Sequence, residues 1–373
     1  MIGRCFKLKI VYIVKTKLHY YPPCVSQIRM IKRLNYDIDV LYGTSDESAL
    51  KLLKSEKINC KKVGNISDEY NSFLKKILSW LKFRHHLKKE LKKYPSNTLL
   101  WFGTGESVLP MLGCLKRNSY VVSFLELYDE FPFRIKLFAN IAKKALAVTV
   151  CEIDRAYIMQ YWWKLDKLPY VFPNKPYDLI RTKNAKPSIK EVKELVNGFK
   201  NSKIILYQGI IQNSEELIEI AKALNHTKNH YKFVLMGIDK YKSISVIKKY
   251  YSDIEYIEYI PAPYHLEITN CAHIGITFYR PDSLNKVYCA PNKIYEYTGF
   301  GVPVLCNNIP GLNNTIGNFK AGICVNMKEN NIATAIDKIE SDYHYYSSNA
   351  IRFFDNTDNY SRMEELLNSI KKQ

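Results

Sequence analysis

Two rounds of alternation between strand-like and helix-like segments constrain the fold of this chain more than any other feature. Short apolar runs such as LKIVYIV, DIDVLYG and TLLWFG are each followed by a longer segment of mixed polarity. The alternation starts again after residue 200 with KIILYQG and YKFVLMG. This pattern is typical of a parallel sheet covered by helices. The sequence therefore predicts an α/β protein with two Rossmann-like, doubly wound domains in tandem.

The two rounds are separated by KPYDLIRTKNAKPSIKE, a stretch rich in Lys, Asn and Pro that is typical of a linker. At 373 residues the chain is long enough for two globular domains of roughly 150 to 200 residues each. We predict an N-terminal domain over 1–177, a linker over 178–200 and a C-terminal domain over 201–350. A C-terminal helix over 351–373 is expected to pack back on the N-terminal domain.

The net charge of +19 is divided unequally along the chain. Residues 1–175 carry 31 Lys and Arg against 15 Asp and Glu, whereas residues 176–373 carry 24 against 21. A basic half of this kind attracts nucleic acid, an anionic membrane surface or a phosphorylated substrate. Charge alone does not choose between these partners.

The sequence also bears on the cellular compartment. No apolar run reaches the roughly 18 residues of a membrane span, and the start of the chain, interrupted by Lys7 and Lys9, lacks the pattern of a signal peptide. The nine cysteines are scattered without CxxC spacing, so we expect reduced, mostly buried thiols. These features predict a cytoplasmic protein without a signal peptide or membrane span.

The tripeptide PNK occurs twice, and the neighbouring residues distinguish the two copies. In the first copy Lys175 precedes Pro176, which disfavours helical backbone, so this copy is predicted to be an interdomain connection. In the second copy Pro291 suits the first turn of a helix, and Gly299 and Gly301 supply its end. A helix that starts at the carboxyl end of a parallel strand offers its amides to a diphosphate.

Three polar side chains mark the beginning of this predicted helix. Asn292 and Lys293 lie at its amino-terminal end, and Glu296 lies one turn further along on the same side. A carboxylate in that position can accept two hydrogen bonds from a ribose diol. On spacing alone, an ordinary helix with a solvated Lys and Glu is the favoured interpretation.

The segment PNKIYEYTGFGVPVLCNNIPGLNNTI resembles the donor-binding segment of the GT-B glycosyltransferases, especially those of glycosyltransferase family 4. In that family a helix bearing a Glu is followed by a small-residue stop, Gly-x-Pro-Val and a further Gly. The resemblance covers most of the chain in the right order. It continues in YQG at 207–209, VLMG at 234–237, IEYIPAPYHLEITNCAHIGITFYRP at 257–281, AVTVCEIDRAYIM and LPYVFPN.

The resemblance implies that the C-terminal domain binds a nucleotide-sugar donor, with UDP as the favoured nucleotide, and that the N-terminal domain binds the acceptor. Glu296 would hold the ribose, while Lys293 and the helix amides beginning at Asn292 would hold the diphosphate. The other donor-binding residues implied are two strand-end glycines, a residue of the loop facing the base and an Arg after GITFY: Gly209, Gly237, Tyr264 and Arg280.

The chain departs from the family pattern at two places. Tyr288 stands eight positions before Glu296, where the family carries a second Glu that grips the donor sugar. The turn GIIQNSEEL also lacks the Arg and Lys that usually contact the diphosphate. Arg280 and Lys293 are the available substitutes, although a structural salt bridge is an equally favoured role for Arg280.

Acidic residues follow a strand of the first half in SYVVSFLELYDEFPF. Relatives often carry a His near the position of Glu126, close to the reacting sugar, so Glu126 and Asp129 are catalytic candidates beside Lys293. A loop of solvated acids is the competing interpretation. His19 follows the first strand, where a structural role is favoured.

The sequence predicts no metal site and no bound cofactor; the nucleotide sugar would be a co-substrate. Asp37 and Asp39 have the spacing of a metal-binding DxD motif, but they run directly into a predicted strand and favour a polar strand entry. WFGTGES begins like a dinucleotide-binding loop, yet Val108 occupies the third glycine position, so the motif fails.

The stretch from Ser72 to Tyr94 predicts a basic amphipathic helix with an apolar face. Such a helix can lie on an anionic bilayer, or it can pack its apolar face on its own sheet. We favour the membrane, since a lipid-linked acceptor would require it. The predicted contacts are Trp80, Lys88, Lys89, Lys92 and Lys93.

These observations predict a glycosyltransferase of surface polysaccharide or glycoconjugate synthesis, of the hexosyltransferase type, acting on a glycan or lipid-linked acceptor at the cytoplasmic face of the membrane. By the resemblance, the anomeric configuration would be retained, and an inverting route would need a base such as Glu126 or Asp129. A sugar-nucleotide epimerase of the same architecture and a basic nucleic-acid-binding protein are the alternatives. The second is disfavoured because no nucleic-acid-binding module is recognisable.

Overall fold

The structure, a computed structural model, describes residues 8–63, 73–116, 119–181, 187–211 and 214–372. The chain divides into two compact units. The first unit comprises Met1–Asp178 and Asp358–Gln373, and the second comprises Leu179–Thr357. Among the described residues, no helix has the length and apolar character that a bilayer crossing needs.

The first unit contains a seven-stranded sheet in the order β3-β2-β1-β4-β5-β6-β7, with every neighbouring pair parallel. Its strands are β1 Lys9–Lys17, β2 Asp37–Thr44, β3 Asn59–Lys62, β4 Leu99–Phe102, β5 Tyr120–Phe124, β6 Ala147–Val150 and β7 Tyr170–Val171. Residues 10–14 of the central strand β1 are fully buried, because helices cover both faces of a parallel sheet.

The helices between these strands are α1 Pro22–Arg33, α2 Glu47–Ser55, α3 Phe73–Leu91, α4 Gly105–Val108, α5 Pro132–Ala142 and α6 Ile153–Trp163, with 3₁₀ turns at Leu18–Tyr20 and Leu109–Met111. The sheet order reverses at β1 and β4, as in a doubly wound fold. The core includes the fully buried Trp101 and Tyr12, whose rings stack with centroids 5.9 Å apart.

The second unit contains a six-stranded parallel sheet in the order β10-β9-β8-β11-β12-β13. Its strands are β8 Ile204–Gln208, β9 Lys232–Met236, β10 Ile254–Ile257, β11 Ile274–Thr277, β12 Val304–Asn307 and β13 Gly322–Val325. The order reverses between β8 and β11, so the loops at the carboxyl ends of these two strands flank the switch point at which such sheets bind ligands.

The helices of the second unit are α7 Lys190–Gly198, α8 Ser214–Ala223, α9 Ile244–Ile247, α10 His265–Thr269, α11 Leu284–Val287, α12 Asn292–Gly299, α13 Pro310–Leu312, α14 Glu329–Ser341 and α15 Tyr343–Asn356. A 3₁₀ turn lies at Leu224–His226 and a π-helical turn at Asn313–Gly317. The prediction of two Rossmann-like domains in tandem is confirmed.

The last helix, α16 Asn359–Lys371, belongs to the first unit. Its Asn359 side chain donates to the carbonyl of Pro173 over 2.7 Å, and Ser369 lies 3.0 Å from the hydroxyl of Tyr170. The unit boundaries differ from the predicted ones. Helix α7 of the second unit lies inside the predicted linker 178–200, and the predicted boundary at 350 cuts helix α15, since Phe353 and Phe354 pack in the core of the second unit.

The Asp37-x-Asp39 motif begins strand β2. Lys9 Nζ lies 3.0 Å from an Asp37 oxygen and 2.9 Å from an Asp39 oxygen, and the hydroxyl of Tyr94 donates to Asp39 over 2.9 Å. The two aspartates therefore form a polar entry to the strand, at the edge of the sheet opposite its carboxyl ends. Within the described ranges, no group of three or more His, Cys, Asp or Glu side chains could hold a metal ion.

Candidate functional site

Helix α12 is anchored to the sheet of the second unit by Tyr297. The Tyr297 ring lies directly over Gly275 in strand β11, where an added Cβ would come within 2.4 Å of the ring. Its hydroxyl donates to the carbonyl of Leu206 in strand β8 over 2.9 Å. Because Tyr297 is fully buried between these strands, the helix is fixed beside the switch point.

The amino end of α12 carries the polar residues predicted from the sequence. Pro291 is the N-cap residue, one position earlier than predicted, and it provides no side-chain cap. The amides of the first helical turn have no acceptor within the helix, and they lie at the positive end of the helix dipole. Asn292 and Lys293 are half-buried at this end.

The ammonium group of Lys293 lies among residues from the ends of β8 and β11. Its Nζ is 4.8 Å from the ring centroid of Tyr207 and 5.8 Å from that of Tyr279, within cation–π range. A Cβ added at Gly209 would approach Nζ to 3.0 Å. Burial lowers the pKa of Lys293 to about 8, although the negative charge of Glu296 acts in the opposite direction.

Two glycines at the strand ends allow this close packing. Gly209 has a φ of +127° and Gly237 has a φ of +141°, and residues with a side chain rarely adopt such values. A Cβ at Gly237 would lie 2.0 Å from the carbonyl oxygen of Gly209. Glycine is therefore required at both predicted donor-binding positions, because the backbone segments that follow β8 and β9 lie against each other at the carboxyl edge of the sheet.

Glu296 lies one helical turn beyond Asn292, with a side chain that is 13% exposed. Its Oε2 accepts a hydrogen bond from Gln208 Nε2, and His265 Nε2 lies 3.8 Å from the same oxygen. Gln208 in turn accepts from the hydroxyl of Thr269 over 2.7 Å. The Glu296 carboxylate is thus held by a buried network and is not the solvated group of an ordinary helix.

Arg280 forms ion pairs in the second unit. Its Nε lies 2.8 Å from Glu216 and a terminal nitrogen lies 2.9 Å from Glu215, both at the start of α8. The hydrogen bond with Glu216 is the main reason that the pKa of Arg280 is raised. Of the two roles predicted for Arg280, the structure displays the salt bridge.

Asn307 bonds the backbone of the adjacent Tyr279 through both its amide atoms, at 3.0 and 2.8 Å.

The remaining predicted positions of the second unit lie near α12. Tyr264 precedes α10 and packs against the core of the unit. Tyr288, which replaces the family's second Glu, follows α11 and is half-buried. Gly311 fits against the backbone of Cys289, 2.6 Å from where its Cβ would be, so the loop after β12 supports the segment that enters α12.

In the first unit, Glu126 and Asp129 follow strand β5. The Glu126 side chain is 54% exposed, and its nearest cation, the buried Arg155, is 3.9 Å away. Between the two acids, Tyr128 has a φ of +61°, and its ring packs on Phe138 with centroids 4.8 Å apart. His19 Nδ1 accepts from the amide of Asp46 over 3.0 Å, which is a structural role.

Helix α3 packs part of one face on the first unit. Phe83 and Leu87 are fully buried, whereas Leu78 and Leu81 are more than half exposed at 55% and 53%. Trp80, one of the predicted membrane contacts, is half-buried with Lys15 Nζ 6.0 Å from its ring, so only part of its ring is exposed. The four predicted lysines, Lys88, Lys89, Lys92 and Lys93, are exposed, and Lys93 pairs with Glu90 at 2.9 Å.

Several site residues were missed in the sequence: Tyr207, Gln208, His265, Thr269 and Tyr279. Only Gln208 could have been recognised from the sequence, because it is a polar residue at the end of the apolar run KIILYQ and is followed by a glycine. In a strand buried on both faces, a polar side chain at the carboxyl end has to be paired, and it faces the edge where ligands bind.

Comparison with known proteins gives matches to solved structures. No protein-family model matches the chain, and no curated protein matches it in sequence. The protein HepE of Anabaena, solved in complex with UDP-glucose, superposes with a TM-score of 0.71 at 12% identity over 98% of this chain and 100% of HepE.

Two further structures show the same likeness. Sucrose-phosphate synthase from Thermosynechococcus elongatus has a TM-score of 0.69 at 14% identity, with 98% of each chain covered. A putative UDP-N-acetylglucosamine 2-epimerase from Listeria monocytogenes has a TM-score of 0.65 at 13% identity, with 98% of this chain and 96% of that chain covered. At such identities the likeness establishes the fold, and the chain has the GT-B fold of two Rossmann-like domains.

Proposed function

We propose that this protein is a glycosyltransferase that moves a sugar from a nucleotide diphosphate sugar to an acceptor hydroxyl. The observation that carries the proposal is the arrangement on helix α12: an ammonium in its first turn and a carboxylate one turn later, beside the switch point of the second sheet. A cation with unpaired amides suits a diphosphate, and a held carboxylate suits a ribose diol.

The donor in this proposal is a UDP-sugar. HepE was solved with UDP-glucose, and it shares the fold over almost the whole chain. Lys293 and the α12 amides would bind the diphosphate, and Glu296 would accept from the ribose hydroxyls. Because Arg280 is already paired with Glu215 and Glu216, the proposal assigns the counter-charge to Lys293 and the helix.

The chemical step in this proposal retains the anomeric configuration. As the bond between the anomeric carbon and the diphosphate oxygen breaks, the acceptor oxygen attacks the anomeric carbon from the same face, and the leaving diphosphate takes the acceptor proton. Lys293 and the helix dipole stabilise the charge on the diphosphate. Since this counter-charge comes from the protein, we propose that no metal ion is required. Glu126 and Asp129 are proposed to act on the acceptor side.

The acceptor is proposed to be a glycan or a lipid-linked acceptor of surface polysaccharide or glycoconjugate synthesis, and the sugar a hexose. The surface of α3 supports this part of the proposal, because exposed Leu78 and Leu81 share the helix with exposed lysines. An apolar contact beside cations is suited to the interface of an anionic bilayer. The protein would then act at the cytoplasmic face of the membrane.

A screen of nucleotide sugars tests the proposal. Thermal stabilisation by one UDP-sugar, followed by transfer of its sugar to an acceptor, is the expected result. Release of an epimerised sugar without any acceptor would instead identify a sugar-nucleotide epimerase of this fold. Binding of RNA or DNA in preference to every nucleotide would contradict both enzymes.

A further inference from the structure

The carboxylate of Glu296 is held from the interior of the second unit by a chain of two buried polar side chains. Gln208 donates to Glu296 Oε2, and the hydroxyl of Thr269 donates to Gln208 Oε1 over 2.7 Å. Gln208 is 5% exposed, and Thr269 is fully buried. Buried amides and hydroxyls are costly to leave unpaired, so such a chain strongly favours one arrangement.

The amide of Gln208 has one orientation that satisfies both neighbours. With Oε1 toward the Thr269 hydroxyl, its amino group faces the carboxylate, and a donor meets an acceptor at each end. The reversed amide would place a carbonyl oxygen against the carboxylate of Glu296, where two acceptors repel. The carboxylate, which can only accept, thereby sets the direction of the Gln208 amide, and Gln208 holds Glu296 Oε2. The Thr269 hydroxyl supports Gln208 at Oε1 over 2.7 Å, and it also lies 3.1 Å from the carbonyl of His265.

The other carboxylate oxygen is left for a ligand. Among the residues that the structure describes, no donor bonds Oε1 of Glu296, and His265 approaches Oε2 at 3.8 Å. The Glu296 side chain as a whole is 13% exposed. One oxygen, Oε2, is therefore fixed by a buried amide, while the other accepts no hydrogen bond from a described residue.

We propose that Gln208 and Thr269 are positioning residues that hold Glu296 so that the site selects ribonucleotides over 2′-deoxyribonucleotides. This inference rests on the proposed function, since it assigns a sugar hydroxyl to Glu296. It goes beyond that function by naming the residues that give the carboxylate its discrimination. Neither residue would touch the nucleotide.

The physical reason is the cost of an unpaired acceptor. A site built to hydrogen-bond a substrate hydroxyl rejects the analogue that lacks it, because the buried acceptor is left without a partner. This penalty requires that the carboxylate cannot turn toward water. With Gln208 in place the Glu296 carboxylate is pinned, whereas without it the carboxylate can rotate and recover a water partner.

The test measures a ratio of affinities. The tightest of UDP, GDP and ADP is compared with its 2′-deoxy counterpart by calorimetric titration of the full chain. In the wild type we expect the ribonucleotide to bind about tenfold or more tightly, the effect of one hydrogen bond to a charged group. In Gln208→Met, which keeps the length of the side chain, we expect the ratio to fall to about threefold or less.

Thr269→Val gives a second and milder variant, because it removes the hydroxyl and keeps the shape. Its ratio should fall between those of the wild type and Gln208→Met, and Thr269→Ser, which restores the hydroxyl, should recover the wild-type ratio. Thr298→Val is the matched control. Thr298 is equally buried and lies on α12 itself, but its hydroxyl donates to the carbonyl of Ile294 over 2.7 Å.

The outcomes separate the two proposals. An unchanged ratio in folded Gln208→Met or Thr269→Val, with the wild type still selecting the ribonucleotide, overturns the positioning role and leaves the proposed function standing. An equal fall of the affinity ratio in Thr298→Val also overturns the positioning role, because the loss of a buried threonine hydroxyl elsewhere would then have the same effect. A wild type that binds none of the three nucleotides overturns the proposed function, and the inference with it.

Discussion

Glu296 in the second unit and Glu126 in the first are both candidate site carboxylates, but the protein holds them very differently. Glu296 is 13% exposed and bonded to a buried amide, whereas Glu126 is 54% exposed with its nearest cation at 3.9 Å. A preorganised carboxylate suits a ligand that is always the same, such as a nucleotide. A loosely held acid suits an acceptor whose position varies.

Two glycines with positive φ, one in each unit, differ in their surroundings. At the carboxyl edge of the second sheet, Gly237 fits against the carbonyl of Gly209 with no space for a side chain. In the first unit, the positive-φ glycine Gly113 faces open space. A Cβ added at Gly237 would therefore meet backbone atoms, whereas one added at Gly113 would have no neighbouring atom within 4 Å. Each of the following predictions tests or sharpens this contrast.

The largest effect is expected for Gly237→Ala. Its Cβ would lie 2.0 Å from the Gly209 carbonyl oxygen at a φ of +141°, so the strand ends must separate. We expect the free energy of unfolding to fall by about 3 kcal/mol or more. Gly113→Ala at a φ of +73° is the matched control, with an expected loss of about 1 kcal/mol. Urea unfolding of both variants measures the difference, and equal losses would contradict the close packing of the edge.

The next effect concerns Lys293. Lys293→Met removes the ammonium but keeps an unbranched chain, and we expect affinity for UDP to fall by about 10- to 100-fold while affinity for uridine changes little. Lys286→Met is the control, because the Lys286 side chain is 42% exposed and pairs with Asp282 at 2.7 Å. Calorimetric titration with both ligands is the measurement. Equal losses for UDP and uridine would show that the lysine does not contact the diphosphate.

The lowered pKa of Lys293 adds a dependence on pH. In the proposed function the diphosphate binds the protonated amine, and the pKa of that amine is about 8 without ligand. Affinity for UDP should therefore be fully present below pH 8 and decline as the pH rises above it, because binding must then pay for protonation. Lys293→Met should lack this decline, and a decline of equal size in that variant would assign it to another group.

A smaller effect is expected for Glu126→Gln. Since the proposed step needs no protein base, we expect kcat to fall by no more than about tenfold and affinity for UDP to stay within about twofold of wild type. Steady-state kinetics and a UDP titration measure these quantities. A loss of about 100-fold or more in kcat would identify a general base and an inverting reaction.

The smallest effect per residue is expected on helix α3. Each cation near an anionic bilayer contributes about 1 kcal/mol. Charge reversal at Lys88 and Lys89 should therefore weaken cosedimentation with anionic vesicles and leave UDP binding intact. Reversal at Lys248 and Lys249, which are equally exposed in the second unit, changes the net charge identically and serves as the control. If the two double variants sediment equally, α3 does not contact the membrane.

The apolar part of this contact has its own signature. Leu78→Ser and Leu81→Ser should weaken vesicle binding with little dependence on salt, because burial of apolar surface is not screened. If both substitutions leave vesicle binding unchanged and high salt abolishes it, the contact with the membrane is electrostatic and does not involve burial of these leucines.

The alternation of apolar runs predicted the fold. The proline and glycines that bound α12 predicted this helix, and helical spacing predicted the positions of Lys293 and Glu296 on it. These features depend on neighbouring residues, since proline, glycine and helical spacing act locally. The pairing of Gln208 with Thr269 could not be predicted. The two residues are far apart in sequence, and only the folded sheet brings the end of β8 against α10.

Helix α3 shows a second limit. Helical spacing placed Trp80 on an apolar face, but spacing does not determine which part of that face is covered. In the folded unit Phe83 and Leu87 are buried, and Trp80 is half-buried beside Lys15, a residue from strand β1. For Arg280, the sequence allowed two roles, and the acids of α8 provide the partners of one of them.

The most direct test of the account is the titration of wild type and Glu296→Gln with UDP at pH 7. The substitution keeps the shape of the side chain and removes its charge, so affinity should weaken by about 1.5 to 3 kcal/mol, while the midpoint of thermal unfolding barely changes. Unchanged affinity for UDP would contradict the central claim, because it would show that the carboxylate of α12 does not hold the ribose of a nucleotide.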